Sequence, residues 1–227
     1  MNALITGTAS GIGRATAELF LARGWNVTGF DILPAAIEHP RYDHRIVDVR
    51  APRTYPDDIR PNVIVNNAGV QDSADDIAVN LRAVIDVTER YAFAGEGLAA
   101  EPAPGITAVV NVGSASGHTG SEFPVYAASK GGILAYTKNL ANRLAPQATC
   151  NSVDPGGVLT PLNRCVMEDE HMWAQIMELT PLKRWATPEE IAEWIYFVAV
   201  TNRFMTGQNL LIDGGEAGDT HFIWPSD

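Results

Sequence analysis

Short apolar runs rich in β-branched residues, each ending in small or polar residues, alternate along the chain with segments whose apolar positions recur at helical spacing. Such alternation is the pattern of a parallel sheet with crossover helices. The runs predict seven strands: NALIT (2–6), NVTGFD (26–31), HRIVDV (44–49), NVIVNN (62–67), TAVVNVG (107–113), ATCNSVD (148–154) and QNLLID (208–213). Most are apolar at both alternating positions, so the sheet is expected to be covered on both faces. Helical spacing is clearest over 11–23, 125–144 and 188–200. The last of these opens with TPEE, which places Thr187 as N-cap, Pro188 at the first helical position and acids at the positive end of the helix dipole. The segments 32–43 and 50–61 are short for full crossovers and carry Pro34, Pro40, Pro52, Pro56 and Pro61, so any helix there is expected to be brief or irregular. No repeat or linker interrupts the pattern. The expectation is one α/β domain over 1–227, a doubly wound seven-stranded parallel sheet with helices on both faces.

Composition narrows the function classes. A net charge of −11 argues against a nucleic-acid footprint or a polybasic membrane patch, since both need clustered Lys and Arg. Cys150 and Cys165 form neither a metal spacing nor a disulfide framework and read as inert thiols of a reducing compartment. The N-terminal MNALITG enters a strand directly, without basic leader or cleavage site, and the longest apolar run, WIYFVAV (194–200), is far short of a membrane span. A cytoplasmic protein with no membrane or nucleic-acid partner and no metal site is expected.

Candidate chemistry begins after the first strand, where TGTASGIG sets Gly7, Gly11 and Gly13 in a strand-to-helix turn. Glycines let the backbone approach a pyrophosphate, and the free NH groups at the helix start attract its charge. Asp31 ends the next strand, 18 residues beyond Gly13. A carboxylate there accepts hydrogen bonds from ribose hydroxyls and repels a 2′-phosphate, so NAD(H) is favoured over NADP(H). Arg14 beside the turn is expected to be a solvated first-turn residue.

In PVYAASKGG (124–132), Tyr126 and Lys130 share a helix face. With 6 Tyr and 3 Lys in 227 residues, chance supplies about 0.08 such pairs, which makes a functional pair worth pursuing.

Taken in order, TGTASGIG (6–13), VDV (47–49), NNAG (66–69), VNL (79–81), NVGSASG (111–117), YAASK (126–130), NSVDPGGVLT (151–160), TPEEIA (187–192) and TGQNLLIDGG (206–215) resemble the short-chain dehydrogenase/reductase family in its compact single-domain subgroup. The resemblance covers nearly the whole chain and implies a Rossmann fold and NAD(P)-dependent interconversion of a secondary alcohol and a ketone. It makes Tyr126 the proton donor and acceptor at the substrate oxygen, Lys130 its partner and a ligand of the nicotinamide ribose, Ser114 the hydrogen-bonding serine, and Asn80 the residue that holds a water next to the lysine. Ser114 is preferred over Ser116 because the family pattern is Ser, two residues, then Gly, here Gly117. The 12-residue spacing from Ser114 to Tyr126 and the segment from Gly69 to Asn80 are both shorter than the family pattern. The resemblance further places Ser10 and Ile12 with the three glycines of the turn, Asp48 and Val49 at the adenine, Asn67, Ala68 and Gly69 along the ribose and diphosphate, and Pro155, Gly156, Val158 and Thr160 around the nicotinamide.

Substrate choice is assigned by the same resemblance to the segment after the PG pair. Leu159, Leu162, Met167, Met172, Trp173, Ile176 and Met177 make residues 158–182 an adaptable apolar lid, favouring an apolar or alicyclic alcohol or ketone such as a hydroxysteroid-like compound or a diol. His118 and His171 are expected to be solvated. A homodimer or homotetramer is anticipated, with Phe222, Ile223 and Trp224 of the C-terminal tail covering the site or a neighbouring subunit. The competing functional readings are an NAD-retaining epimerase or dehydratase and a non-catalytic dinucleotide sensor.

Overall fold

The computed structural model describes residues 1–95, 97–121 and 123–218. Its strands are β1 (Asn2–Thr6), β2 (Asn26–Asp31), β3 (Tyr42–Ile46), β4 (Val63–Asn66), β5 (Phe93–Ala94), β6 (Glu101–Pro102), β7 (Ala108–Val112), β8 (Thr149–Pro155) and β9 (Asn209–Ile212). The α-helices are α1 (Gly11–Ala22), α2 (Ala83–Ala92), α3 (Ala115–Thr119), α4 (Pro124–Leu144), α5 (Arg164–Met167), α6 (Glu170–Leu179) and α7 (Pro188–Tyr196). Seven strands form one sheet in the order β3-β2-β1-β4-β7-β8-β9, and every pairing in it is parallel. The expected doubly wound architecture is present.

Alternate residues of the strands enter opposite layers. Ala3, Ile5, Val63, Val65 and Val110 join Phe20 of α1 and Ile191 and Ile195 of α7 in one core. Leu4, Ile64 and Val109 join Phe30, Tyr91 of α2 and Leu140 and Leu144 of α4 in the other. All four residues of β4 and all five of β7 are buried, as continuous apolar runs in a two-sided sheet should be. Leu140 and Leu144 of α4 therefore face the sheet, and Ile133 is buried as well. Tyr136 turns to the side, where its hydroxyl meets Glu89, itself bound by Arg143 at 2.5 Å.

Polar groups cross this interior beneath the carboxyl edge. Asn66 Nδ2 donates to Thr88 Oγ1 and to Asn111 Oδ1, both at 2.9 Å, and Asn111 Nδ2 donates to Thr137 Oγ1 at 2.9 Å. The chain of bonds runs from α2 through β4 and β7 to α4.

Three elements differ from expectation. β3 spans 42–46 rather than 44–49, because its only neighbour, β2, ends at Asp31 opposite Ile46. Val47 and Val49 are buried nonetheless, in coil, with Val47 N still bonded to Asp31 O. The helix expected over 188–200 is α-helical to Tyr196 and continues as a π segment, Phe197–Thr201. The β5-β6 ribbon was not anticipated, since two-residue strands carry no periodic signal. Between β2 and β4 the crossovers hold only one 3₁₀ turn, Pro52–Thr54, in keeping with their prolines.

The start of α7 is a capping box: Thr187 Oγ1 accepts from Glu190 N, and Glu190 Oε2 accepts from Thr187 N. Thr187→Ala is expected to cost about 1 kcal/mol. In a chain of this size that lowers the thermal midpoint by about 2–4 °C, measurable by calorimetry.

Candidate active site

Order reversal between β2-β1 and β4-β7 opens a crevice at the carboxyl ends of these strands. A cavity of about 900 Å³ occupies it, at the upper end of the range for cofactor and substrate sites. It is lined by every residue expected at the cofactor except Gly13, and by Ser114, Tyr126 and Lys130. Gly13 and Asn80 stand behind the wall and shape it.

At the phosphate end, Gly7 adopts φ +76°, and a Cβ there would lie 2.7 Å from Asn67 Nδ2 and 2.9 Å from Ala68 Cα. Asn67 Nδ2 donates to Thr6 O and Gly7 O, while the amides of Asn67 and Ala68 both donate to Thr6 Oγ1. Gly13 packs directly on the Gly7 carbonyl, which draws the start of α1 against the turn. Ser10 makes no side-chain cap bond, so its side chain does not satisfy the first-turn amides of α1. A turn so tight that any Cβ would fill it, facing uncapped amides, fits a dinucleotide diphosphate.

Asp31 is fixed on the rim by two backbone amides, Ala9 N to Oδ2 at 2.8 Å and Leu33 N to Oδ1 at 2.9 Å. Arg14 is ion-paired to Glu18 one turn along α1 and does not line the cavity. Asp48 is bound by Arg50, whose guanidinium holds the carboxyl below its ordinary range and reaches Asp75 at 2.6 Å.

The expected catalytic residues gather at the other end. Ser114 caps α3, its Oγ accepting from Ser116 N at 3.2 Å. Gly117 lies on the backbone of α4, where a Cβ would sit 2.9 Å from the Lys130 carbonyl carbon, so α3 and α4 are in direct main-chain contact. Tyr126 occupies the third position of α4, at the positive end of its dipole, where a phenolate is favoured. Lys130 is buried one turn on, with Nζ 5.7 Å from the Tyr126 ring centroid and donating to Val112 O at 3.0 Å. Burial pushes its ammonium down from 10.5 to about 8, opposed by the charges of Asp154 and Asp76.

Asn80 sits in a π segment, Ala78–Arg82, a feature frequent at functional sites. Its Nδ2 donates to Val70 O at 2.8 Å and Ser129 Oγ at 3.2 Å, and its Oδ1 accepts from Val70 N. Ser129 in turn donates to Tyr126 O. Sequence reasoning passed over Ser129, although a small polar residue inside YAASK was the available signal. It also treated His118 as solvated. His118 Nε2 instead lies 2.7 Å from Oδ2 of the fully buried Asp154. His171 is exposed as expected.

The substrate end has two kinds of wall. Leu162, Val166, Ile176, Leu179 and Trp185 supply the apolar side, and Gln71, Thr119, Ser121 and Asn163 the polar side. Of the apolar set expected from sequence, only Leu162 and Ile176 line the cavity. Met167 of α5 and Met172 of α6 are exposed, because these helices turn only one stripe inward, and Leu159, in the coil ahead of them, is exposed as well. Trp185 was missed. Its indole packs on Gly157, and Trp173 meets it edge-on at 5.0 Å. Glu216 was missed as well. It accepts from Thr180 Oγ1 at 2.7 Å and Gly157 N at 3.4 Å, joining the end of α6 to the loop after β8. Phe222, Ile223 and Trp224 lie outside the described residues.

Both cysteines are free thiols. Among the described residues no cluster of three or more His, Cys, Asp or Glu could hold a metal ion, and no helix is long and apolar enough to cross a membrane.

A family model described as enoyl-(acyl carrier protein) reductase matches residues 57–216. The L-xylulose reductase of Mus musculus is 33% identical over 237 residues, covering 94% of this chain and 95% of that protein. Among solved structures, an Agrobacterium tumefaciens protein described as a 2-deoxy-d-gluconate 3-dehydrogenase, with bound NADP, aligns with a TM-score of 0.80 at 28% identity over 96% of each chain. A 4-hydroxyisoleucine dehydrogenase complexed with NADH aligns with a TM-score of 0.82 over 96% of this chain and 99% of its own, and at 23% identity speaks to the fold alone. NADH and NADP thus both occur on this fold. The correspondence runs almost from end to end, and the chain belongs to the short-chain dehydrogenase/reductase family, as an oxidoreductase of CH–OH groups.

Proposed function

We propose that the protein is an NAD-dependent dehydrogenase/reductase that interconverts a secondary alcohol and a ketone, with Tyr126 as general acid/base. The observation that carries this reading is the buried Lys130 ammonium one helical turn behind Tyr126, on a cavity wall that Ser114 shares. A phenol has a pKa of about 10, and lowering it by about 3 units requires about 4 kcal/mol of preference for phenolate. The ammonium of Lys130 and the N-terminus of α4 both act in that direction. Tyr126 takes the hydroxyl proton in oxidation and returns it in reduction, while Ser114 hydrogen-bonds the substrate oxygen. Asn80 is assigned the water next to Lys130, in a segment that its side-chain bonds to Val70 and Ser129 hold in place. A bound nicotinamide supplies the hydride acceptor for oxidation and the hydride donor for reduction.

NAD rather than NADP is proposed from Asp31. Its carboxylate is pinned at the rim by two amides and would repel a 2′-phosphate, and Arg14 is already engaged by Glu18. Thermal stabilisation should require at least about tenfold less NAD than NADP, and Asp31→Ala should abolish most of that difference, since hydrogen bonds to a charged group are worth about 1.5–3 kcal/mol. Stronger stabilisation of the wild type by NADP would sink the argument.

Residues 158–182 are proposed as the substrate lid, and an apolar or alicyclic secondary alcohol, hydroxysteroid-like or a diol, as the substrate class. The apolar side of the cavity supports this. A second reading, a polyol or sugar, is favoured by the polar side and by the relatives named for xylulose and deoxygluconate. Nicotinamide absorbance with a panel of cyclic alcohols, diols and pentuloses separates the two. A homodimer or homotetramer is proposed because Trp194, Phe197 and Phe204 are left exposed on one chain, with Phe204 at 98%.

A further inference from the structure

Behind the Tyr126–Lys130 pair lies an acid–imidazole contact to which the reaction above assigns no task. Asp154 is the penultimate residue of β8, and its side chain is completely buried. One carboxylate oxygen, Oδ2, meets His118 Nε2 at 2.7 Å. The other, Oδ1, packs against Gly113 and has no hydrogen-bond partner among the described residues. Gly113 follows Val112, whose carbonyl accepts from Lys130 Nζ, so the free oxygen abuts the strand end that anchors the ammonium. His118 projects from α3, the helix that Ser114 caps, and keeps 27% of its side chain exposed.

We propose that Asp154 and His118 are a positioning pair for this reaction: Asp154 is the buried counter-charge of Lys130, and His118 ties the Ser114 turn to the strand end that leads into the Pro155–Thr160 loop. The proposal rests on the dehydrogenase reading of the site. An ammonium buried without a counter-charge is costly, and a buried carboxylate with one free oxygen is equally so. Placed together they compensate one another, and the partly solvated imidazole takes up the second oxygen without isolating a third charge.

The charged and titratable groups that face this pair come from several elements. Lys130 and Tyr126 stand on α4 and His118 on α3. Asp76, which is buried and accepts from Ser73 N, lies ahead of the Asn80 segment. Burial raises the Asp154 carboxyl, and His118, Ser152 and Lys130 draw it back. Glu216 and Asp213 lie beyond Gly156 and are taken up by Thr180 and by backbone amides. Of the two acids that act on Lys130, Asp154 comes first.

The test uses Asp154→Asn, nearly isosteric, with His118→Ala and His118→Gln, in the full-length protein. With an alcohol that the wild type turns over, the alkaline limb of kcat/KM should move to lower pH by about one unit in Asp154→Asn, an approximately tenfold loss on that limb. His118→Ala should lose about tenfold in kcat with KM little changed, and His118→Gln, which still donates to Asp154, should recover most of it. The Tyr126 phenolate absorbance, read as the difference from a Tyr126→Phe background, should titrate at higher pH in Asp154→Asn. This last readout needs no turnover, so failure to find any substrate would count against the dehydrogenase reading and leave the coupling measurable. A Tyr126 titration and a pH profile that superpose on the wild type's, or equal losses in the Ala and Gln variants, would overturn the proposal.

Discussion

Tyr126→Phe is expected to lower kcat by about 10²–10⁴-fold, the range that removal of a positioned general acid/base usually produces. Phenylalanine keeps the ring over Lys130 Nζ, so the packing of the first turn of α4 survives and only the hydroxyl is lost. Stabilisation by NAD should therefore be nearly unchanged, because the glycine turn, Asp31 and the Asn67 contacts are remote from the substitution. Steady-state nicotinamide absorbance read beside thermal shifts checks both halves. Full turnover in the variant would mean that another group moves the proton, and a lost cofactor response would mean that the ring had a binding role instead.

Lys130→Met should be nearly as damaging to activity, through a different signature. Methionine fills the buried channel without charge, so kcat/KM should fall by about 10²–10³-fold and cofactor-induced stabilisation should weaken. For oxidation the wild-type profile should be bell-shaped, rising as Tyr126 deprotonates and falling above about pH 8 as the ammonium is lost. The variant should lack the falling limb. Stability should respond too. Lys130 binds its proton less tightly in the folded chain, at about 8, than in the unfolded one, near its ordinary 10.5. Between those values the unfolded state carries more protons, so wild-type stability should rise with pH across that window relative to Lys130→Met. Denaturant midpoints for the two proteins at pH 7 and pH 9.5, taken as differences, measure this directly, and parallel curves would contradict the assigned burial of the charge.

What could be read from sequence follows from what leaves a periodic or local trace. The inner strands β4 and β7 announce themselves as apolar runs because both faces are covered, whereas the edge strand β3, with no buried residue, was placed two residues late; the helix start at Thr187 is visible as a cap followed by Pro and acids. Gly13 apart, the residues proposed for the cofactor end share one cavity wall because they cluster within short stretches at strand ends. Asp154 and His118 escaped for the opposite reason: they are 36 positions apart, and taken alone the one looks like a strand-end acid and the other like a surface imidazole. Trp185 and Glu216 were missed likewise, since their partners, Gly157 and Thr180, lie on other segments. Within the segment 158–182, hydrophobicity counts apolar residues without saying which stripe of α5 and α6 turns inward, so only Leu162 and Ile176 of the expected set line the cavity.

The amide chain from Asn66 through Asn111 to Thr137 bears on how the sheet is assembled. An apolar run such as VIVN could slide along AVVNV by two residues and bury the same kind of side chain, so hydrophobic contact alone discriminates poorly between alignments. Asn66 opposite Asn111 removes that degeneracy. Any slipped alignment would strand carboxamides in a dry interior, at about 1–3 kcal/mol for each unmatched group. These asparagines proofread the seating of the two central strands, and with it the alignment of the strand ends over which the chemistry is built.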